Sequence, residues 1–259
     1  MDATQGRFER IQVAPAYQLV AEAIEREVVS GRLLPGEPVG TEAELVRQFG
    51  VNRSTVREGI RALEEGGFIQ RGPDRRLYAC LPRYNRLSSR MSRALILHEV
   101  TFRELFSVAL ALEVASAEQA VAHITDEMLE RLEENQAEIE AAAQAGDAAR
   151  LSEADSTFHH LVAKASGNRV LLLSREPASL LFFPTTELIC RRVPEGPPRL
   201  IVAHRHIIDA LRARDLEQAR LWMSRHLHDW QRGFARAGRD LDEPVERVYA
   251  RSLPPGIAV

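Results

Sequence analysis

TEAELVRQFGVNRSTVREGIRALEEGGFIQRG, from Thr41 to Gly72, decides the fold. Thr41 followed three residues later by Glu44 is a capping box, so a helix starts there. Leu45, Val46 and Phe49 give that helix one apolar side, and Gly50 ends it by accepting a left-handed conformation. Val51 seals a tight turn and Asn52 caps a second helix. In it Val56, Ile60 and Leu63 recur at helical spacing and face inward. Gly66-Gly67 ends this helix, and Phe68-Ile69 begins something extended. Two short helices around a glycine turn make a helix-turn-helix pattern. Arg53, Ser54, Thr55 and Arg57 lie at the start or on the outer side of the second helix, with Arg47 on the first. Such a helix presents its N-terminal residues to base edges in the major groove, where arginine discriminates guanine by ~1–3 kcal/mol. The same spacing also describes a helical hairpin with solvated arginines.

The flanks make the pattern more specific. Ala14 to Gly31 is an amphipathic helix with Leu19, Ala23, Ile24 and Val28 on one side, followed by a proline-defined loop in GRLLPGEPV. After Phe68, IQRGPDRRLYACL is predicted to form two short strands around a Gly-Pro-Asp turn, a wing. Taken together, residues 14–81 resemble the winged helix-turn-helix of GntR-family transcription regulators. The resemblance implies that Arg53, Ser54, Thr55 and Arg57 contact bases and phosphates. It also implies that Gly72, beside Arg71, is a wing tip reaching the minor groove. Two places depart from the family pattern. Ala43 stands where members often carry an arginine, and the common Leu-Pro-Ser-Glu is Val39-Gly40-Thr41-Glu42.

The chain has 259 residues, 45% of them hydrophobic, and a net charge of −3. That length suggests two domains, and bulk charge does not announce nucleic acid. Local charge does: four arginines face one acid between Arg47 and Arg61, and three face Asp74 between Arg71 and Arg76. This footprint suits DNA, and its modest size calls for binding as a homodimer. Cys80 and Cys190 are far apart and lack metal spacing, which suggests a reducing compartment. With no signal pattern and no apolar run long enough for a bilayer, a cytoplasmic location without a membrane partner is expected.

Residues 1–13 are a polar lead-in and 82–92 a linker by composition. From residue 93 to 237 the pattern is mainly α. Helices are expected at Thr101–Ala122, with Phe102, Leu105, Val108, Leu112 and Ala115 inward, at Asp126–Ala145 and at Asp147–Ser166. A fourth starts at Asn168 and is interrupted at Pro177 and Pro184, RRVPEGPPR is a loop, and two more span Leu200–Arg214 and Asp215–Ala237. About six antiparallel helices form a bundle, and 238–259 is a tail.

Asp155 and His159 lie four apart and so share a helical face. His204 and His226 lie in the last two helices. Three histidines and a carboxylate converging in a bundle suit zinc, nickel or a similar divalent ion, although lone buried histidines are commonly just hydrogen-bonded core. His160 and His206 point away from this face, and His98, His123 and His228 have no evident partner. Asp155-x-x-x-His159 with Ser166-Gly167-Asn168, the AHRHIIDA segment and Met223, His226 and Leu227 resembles the FCD effector domain, which defines the FadR subfamily of GntR regulators. That resemblance implies that Asp155, His159, His204 and His226 bind a divalent metal that helps hold an organic acid effector. Where many members carry an effector-gripping arginine, this chain has Ala109. Arg103, Arg150, Arg191 or Arg205 are possible substitutes, and Asn168 joins them as an effector-site candidate.

The expectation is a ligand-responsive regulator, more often a repressor in this family, binding a pseudo-palindromic double-stranded operator. The alternatives are a metal-dependent hydrolase housed in the bundle, and an adaptor that uses the winged domain for protein contacts.

Overall fold

The computed structural model describes residues 14–74, 76–80 and 84–245, without side-chain detail for 84–87 and 89. The lead-in 1–13, the wing's Arg75, the first linker residues 81–83 and the tail from 246 lie outside the described residues. The chain divides into two units at Arg86/Leu87.

The first unit opens with α1 (Ala16–Val29), followed by β1 (Pro38–Gly40), α2 (Glu42–Phe49), α3 (Arg53–Gly66), β2 (Ile69–Arg71) and β3 (Leu77–Ala79). Both arms of the α2 capping box are made: Glu44 N–H donates to Thr41 Oγ1 at 3.2 Å, and Thr41 N–H to Glu44 Oε2 at 2.7 Å. Gly50 takes φ 65°, ψ 25°, the left-handed conformation a side chain would strain. Asn52 Oδ1 accepts from Thr55 N–H at 2.8 Å and starts α3. The buried core joins Val20 and Ile24 of α1 to Leu45, Val56, Ile60, Leu63, Ile69 and Leu77. Leu19, expected inward, is instead 49% exposed. The wing is a three-stranded antiparallel sheet ordered β1-β3-β2. Its edge strand β1 lies in the stretch read as a loop, and pairs Pro38 with Tyr78.

The second unit contains α4 (Tyr84–Leu97) from Leu87 onward, α5 (Phe102–His123), α6 (Asp126–Gln144), α7 (Ala148–Ala165), α8 (Arg169–Phe182), α9 (Thr185–Arg192), α10 (Gly196–Ala213) and α11 (Leu216–Arg236). Residues 84–92, linker by composition, are therefore helical. α8 runs through Pro177 rather than breaking there. α10 begins inside the expected loop because Pro197 and Pro198 occupy its first turn, where a missing N–H costs nothing. The tail packs as far as Val245: Leu241 and Val245 are buried, and Val245 N–H donates to Val100 O at 2.8 Å.

α5 is long and apolar enough to cross a membrane, contrary to expectation. Its capped start at Thr101 and its packing mark it as a core helix. The inward line is Phe102, Leu105, Phe106, Ala109, Glu113, Ser116 and Ala117, while Val108 is 47% exposed. This stripe is offset from the expected one because a carboxylate, Glu113, is buried within it.

Thr41→Ala removes one arm of the α2 cap. It should lower the unfolding free energy of the winged domain by about 1 kcal/mol, read from urea titration of the intact chain.

Candidate DNA interface and metal centre

In the first unit, Arg53 and Arg57 project from α3 with 72% and 64% of their side chains exposed. Arg47 and Ser54 are exposed and Thr55 half-buried. The Ser54 hydroxyl donates to the cap oxygen of Asn52 at 2.7 Å. Gly72 sits at the wing turn, where an added Cβ would come 2.4 Å from the Tyr78 ring. No larger residue fits there without displacing that ring.

Glu42, noted from sequence only as the end of the Val39-Gly40-Thr41-Glu42 segment, organises this surface. Its half-buried carboxylate lies 3.5 Å from Arg53 Nε, 3.3 Å from Arg57 Nε and 3.2 Å from Arg71 Nη2. Arg71 also meets Glu64 at 3.0 Å. One acid thus holds together three cations that would otherwise repel, two on α3 and one on the wing.

In the second unit, Asp155 and His159 from α7, His204 from α10 and His226 from α11 are all buried, with their ligand atoms within 4.8 Å of one another. His159 Nε2 lies 3.1 Å and His204 Nε2 3.3 Å from His226 Nε2. Asp155 Oδ1 lies 3.3 Å from His204 Nε2, 3.8 Å from His159 Nε2 and 3.9 Å from His226 Nε2. Bonds of ~2.0–2.1 Å to a shared ion need donor separations of about 3.0 Å at right angles or about 3.4 Å in a tetrahedron; three of these five separations, 3.1–3.3 Å, fall in that range and two, 3.8 and 3.9 Å, lie beyond it.

The protonation pattern also fits a cation. Glu113 Oε2 can only accept, so His159 donates to it from Nδ1 at 3.0 Å and leaves Nε2 as the nitrogen that faces the cluster. Burial, reinforced by the neighbouring histidines, drives the pKa values of His204 and His226 well below the usual imidazole value, so both are neutral. Among the described residues nothing donates a hydrogen bond to Asp155 Oδ1, while Thr186 Oγ1 donates to Oδ2 at 3.0 Å. Lone pairs facing an unsatisfied carboxylate oxygen are an arrangement that a divalent ion completes.

Behind His159 stands a buried pair that sequence reasoning missed. Arg175 of α8 donates from Nε to Glu113 Oε1 at 2.8 Å, with Nη2 2.7 Å from the same oxygen. Burial by itself would raise the Glu113 carboxyl, but the charges and hydrogen bonds of Arg175 and His159 outweigh it and hold the group at about 2. The pair fixes the His159 tautomer, the role outer partners have at metal sites.

The donor set lies at the seam of two hydrophobic clusters: Phe158 stacks on His204 at 3.7 Å and Phe183 packs on His159 at 4.4 Å. Beside it opens a cavity with about 40 Å³ available to water centres, bordered by Asp155, His226, Phe182, Cys190, Arg199 and Trp230 among others. Burial and the charges of Asp155 and Glu187 push the Cys190 thiol up to about 12.

Comparison with known proteins agrees with both units. The family profile "Bacterial regulatory proteins, gntR family" matches residues 16–78, and "FCD domain" matches residues 104–229. The HTH-type transcriptional regulator LutR of Bacillus subtilis is 30% identical over 209 residues, covering 77% of this chain and 92% of its own. The chain belongs to the GntR family. The HTH-type transcriptional repressor NanR of Cronobacter sakazakii is 28% identical, covering 83% of this chain and 85% of its own. The solved Streptococcus agalactiae GntR superposes with a TM-score of 0.58 at 26% identity, covering 83% of this chain and 99% of its own. These relatives are transcription regulators, so the hydrolase and adaptor alternatives are set aside.

The effector residues expected from sequence do not border the cavity of this GntR regulator. Arg103 is paired with Asp242, Arg150 with Glu138 and Arg205 with Glu140. Arg191, the other substitute, pairs with Glu187 along its own helix. Asn168 caps α8 and donates to Gln119 at 3.0 Å. Each side chain serves its own helix or an ion pair elsewhere, a use that spacing along the chain does not reveal.

Two outcomes test these arrangements. Arg175→Met leaves the Glu113 carboxylate buried without its cation and should cost roughly 3–5 kcal/mol of stability; the Glu113→Gln/Arg175→Met double variant should recover part of that in urea unfolding. Glu42→Gln should loosen the three arginines, so the ratio of specific to non-specific DNA affinity falls about tenfold in fluorescence anisotropy.

Proposed function

We propose that this regulator is a homodimeric repressor of the FadR subfamily, working in the cytoplasm on a pseudo-palindromic operator and released by a small organic acid. In this reading each protomer sets α3 in the major groove of one half-site, Arg53 and Arg57 reading bases and Arg47, Ser54 and Thr55 contacting the backbone. Arg71 and Gly72 bring the wing to the minor groove. The residue divisions 14–81 and 93–237 are taken as the DNA-binding and effector-binding domains.

Asp155, His159, His204 and His226 are assigned as ligands of a divalent ion, zinc or nickel. When bound, such an ion supplies a positive charge and open coordination for an effector oxygen. The chain itself supplies orientation through Glu113 and Arg175, neutral imidazoles through burial, and a mostly apolar cavity against which Asp155 and His226 sit. The observation that carries the assignment is the convergence of four buried ligand atoms from three helices, among them a carboxylate oxygen, Asp155 Oδ1, that accepts no hydrogen bond among the described residues. Among the relatives NanR is named a repressor and the Glc operon regulator an activator. Release requires that the acid bind the DNA-free arrangement more tightly than the DNA-bound one.

Arg53→Ala and Arg57→Ala should each weaken binding to a fragment from upstream of the protein's own gene by about tenfold or more, with bound metal per chain unchanged by elemental analysis. His204→Ala should show the reverse, losing metal while retaining DNA binding without effector. Wild-type affinity in both arginine variants would mean that α3 is not the reading helix.

A further inference from the structure

We infer that the cavity beside the four donors takes a short-chain acid with two oxygen-bearing ends, and that Arg199 grips the outer end as a carboxylate. The inference rests on the metal-and-acid reading above and gives the effector a chemical class. Asp155, Thr186 and His226 form the cavity's polar floor, and Phe182, Phe183 and Trp230 contribute its apolar sides. The space open to water centres is small, about 40 Å³, which favours a short-chain body over a bulky one.

Arg199, His226 and Asp229 border this cavity and also a groove on the outer face between α10 and α11. They form the partition between the buried donors and solvent. The groove also carries Arg225 and Arg232 beside Trp222, so its cations outnumber its one acid, Asp229. Such a surface draws anions toward the partition. An acid entering there meets Arg199 at one end and the donor set at the other, with apolar walls between. Two polar ends on a short apolar body match that sequence of surroundings.

The partition is built to let Arg199 turn. Its guanidinium pairs with Asp229, which also accepts from Arg232 at 3.0 Å. When Arg199 shifts to a ligand carboxylate, Asp229 keeps a cation and no half-buried charge is stranded. The other arginine at the cavity, Arg236, is paired with Glu195 at 3.3 Å and does not border the groove.

The test is calorimetry on the full-length protein, loaded in parallel with zinc and with nickel, titrated with succinate, butyrate and butyramide. Succinate should bind at least about tenfold more tightly than butyrate, as an added charge-assisted pair provides, and butyramide more weakly than either. Arg199→Gln should erase the succinate preference while leaving butyrate affinity and the metal-loaded melting temperature unchanged. Arg199→Lys keeps the charge and loses the fork, so its preference should fall between the two. A full succinate preference in both variants overturns the role of Arg199 and leaves the metal-and-acid reading standing. An Arg199-dependent preference in protein that retains no metal upholds Arg199 and overturns the metal. Failure of either acid to bind the wild type overturns the acid reading and this inference together.

Discussion

Burying Asp155, Glu113, Arg175 and three histidines at the meeting point of five helices is the constraint on which the larger unit depends. Each of these groups is costly to remove from water unless a partner compensates it. Glu113 and Arg175 compensate one another across α5 and α8. His159 leans on that pair from α7, and Asp155 leans on Thr186 of α9. The polar links therefore tie together helices that the two hydrophobic clusters pack only in part. Hydrophobic burial tolerates small rotations of a helix about its axis. A chain of hydrogen bonds about 3 Å long tolerates them poorly, so the polar core sets helix register where the apolar core supplies cohesion.

The winged unit solves the opposite problem. Its functional charges must stay in solvent, close together and all positive. Helix α3 has an uncharged cap and no acid in its first turn, so nothing local offsets Arg53 and Arg57. The offset comes from α2, where Glu42 is the first residue after the Thr41 cap and turns its carboxylate toward both arginines and the wing. The cap that starts α2 thereby fixes the position of a neighbouring charge, and secondary-structure chemistry becomes surface electrostatics in one step.

What the sequence revealed follows from how local each signal is. Thr41, Gly50 and Asn52 act within a few residues of themselves, so the helix-turn-helix was legible with its ends. The spacing of Asp155 and His159 places them on one face by helical geometry alone, while His204 and His226 could be added only as residues of other helices able to converge, a grouping the family pattern then made specific. Signals that depend on distant partners were not legible. Glu113 and Arg175 are 62 residues apart, and nothing near Glu113 in the chain announces the partner that lets a carboxylate be buried in α5. Strand β1 is three residues long and exists only through pairing with β3. The arginines offered for the effector were chosen by type, whereas the structure separates those committed to ion pairs elsewhere from Arg199.

The elevated Cys190 thiol gives this architecture a built-in reporter. A sulfur that holds its proton to about 12 offers almost no thiolate at neutral pH, and thiolate is the form that alkylating reagents attack. Cys190 is half-buried and borders the cavity, so an occupant that covers its sulfur slows labelling at this position, without any tag being engineered into the chain.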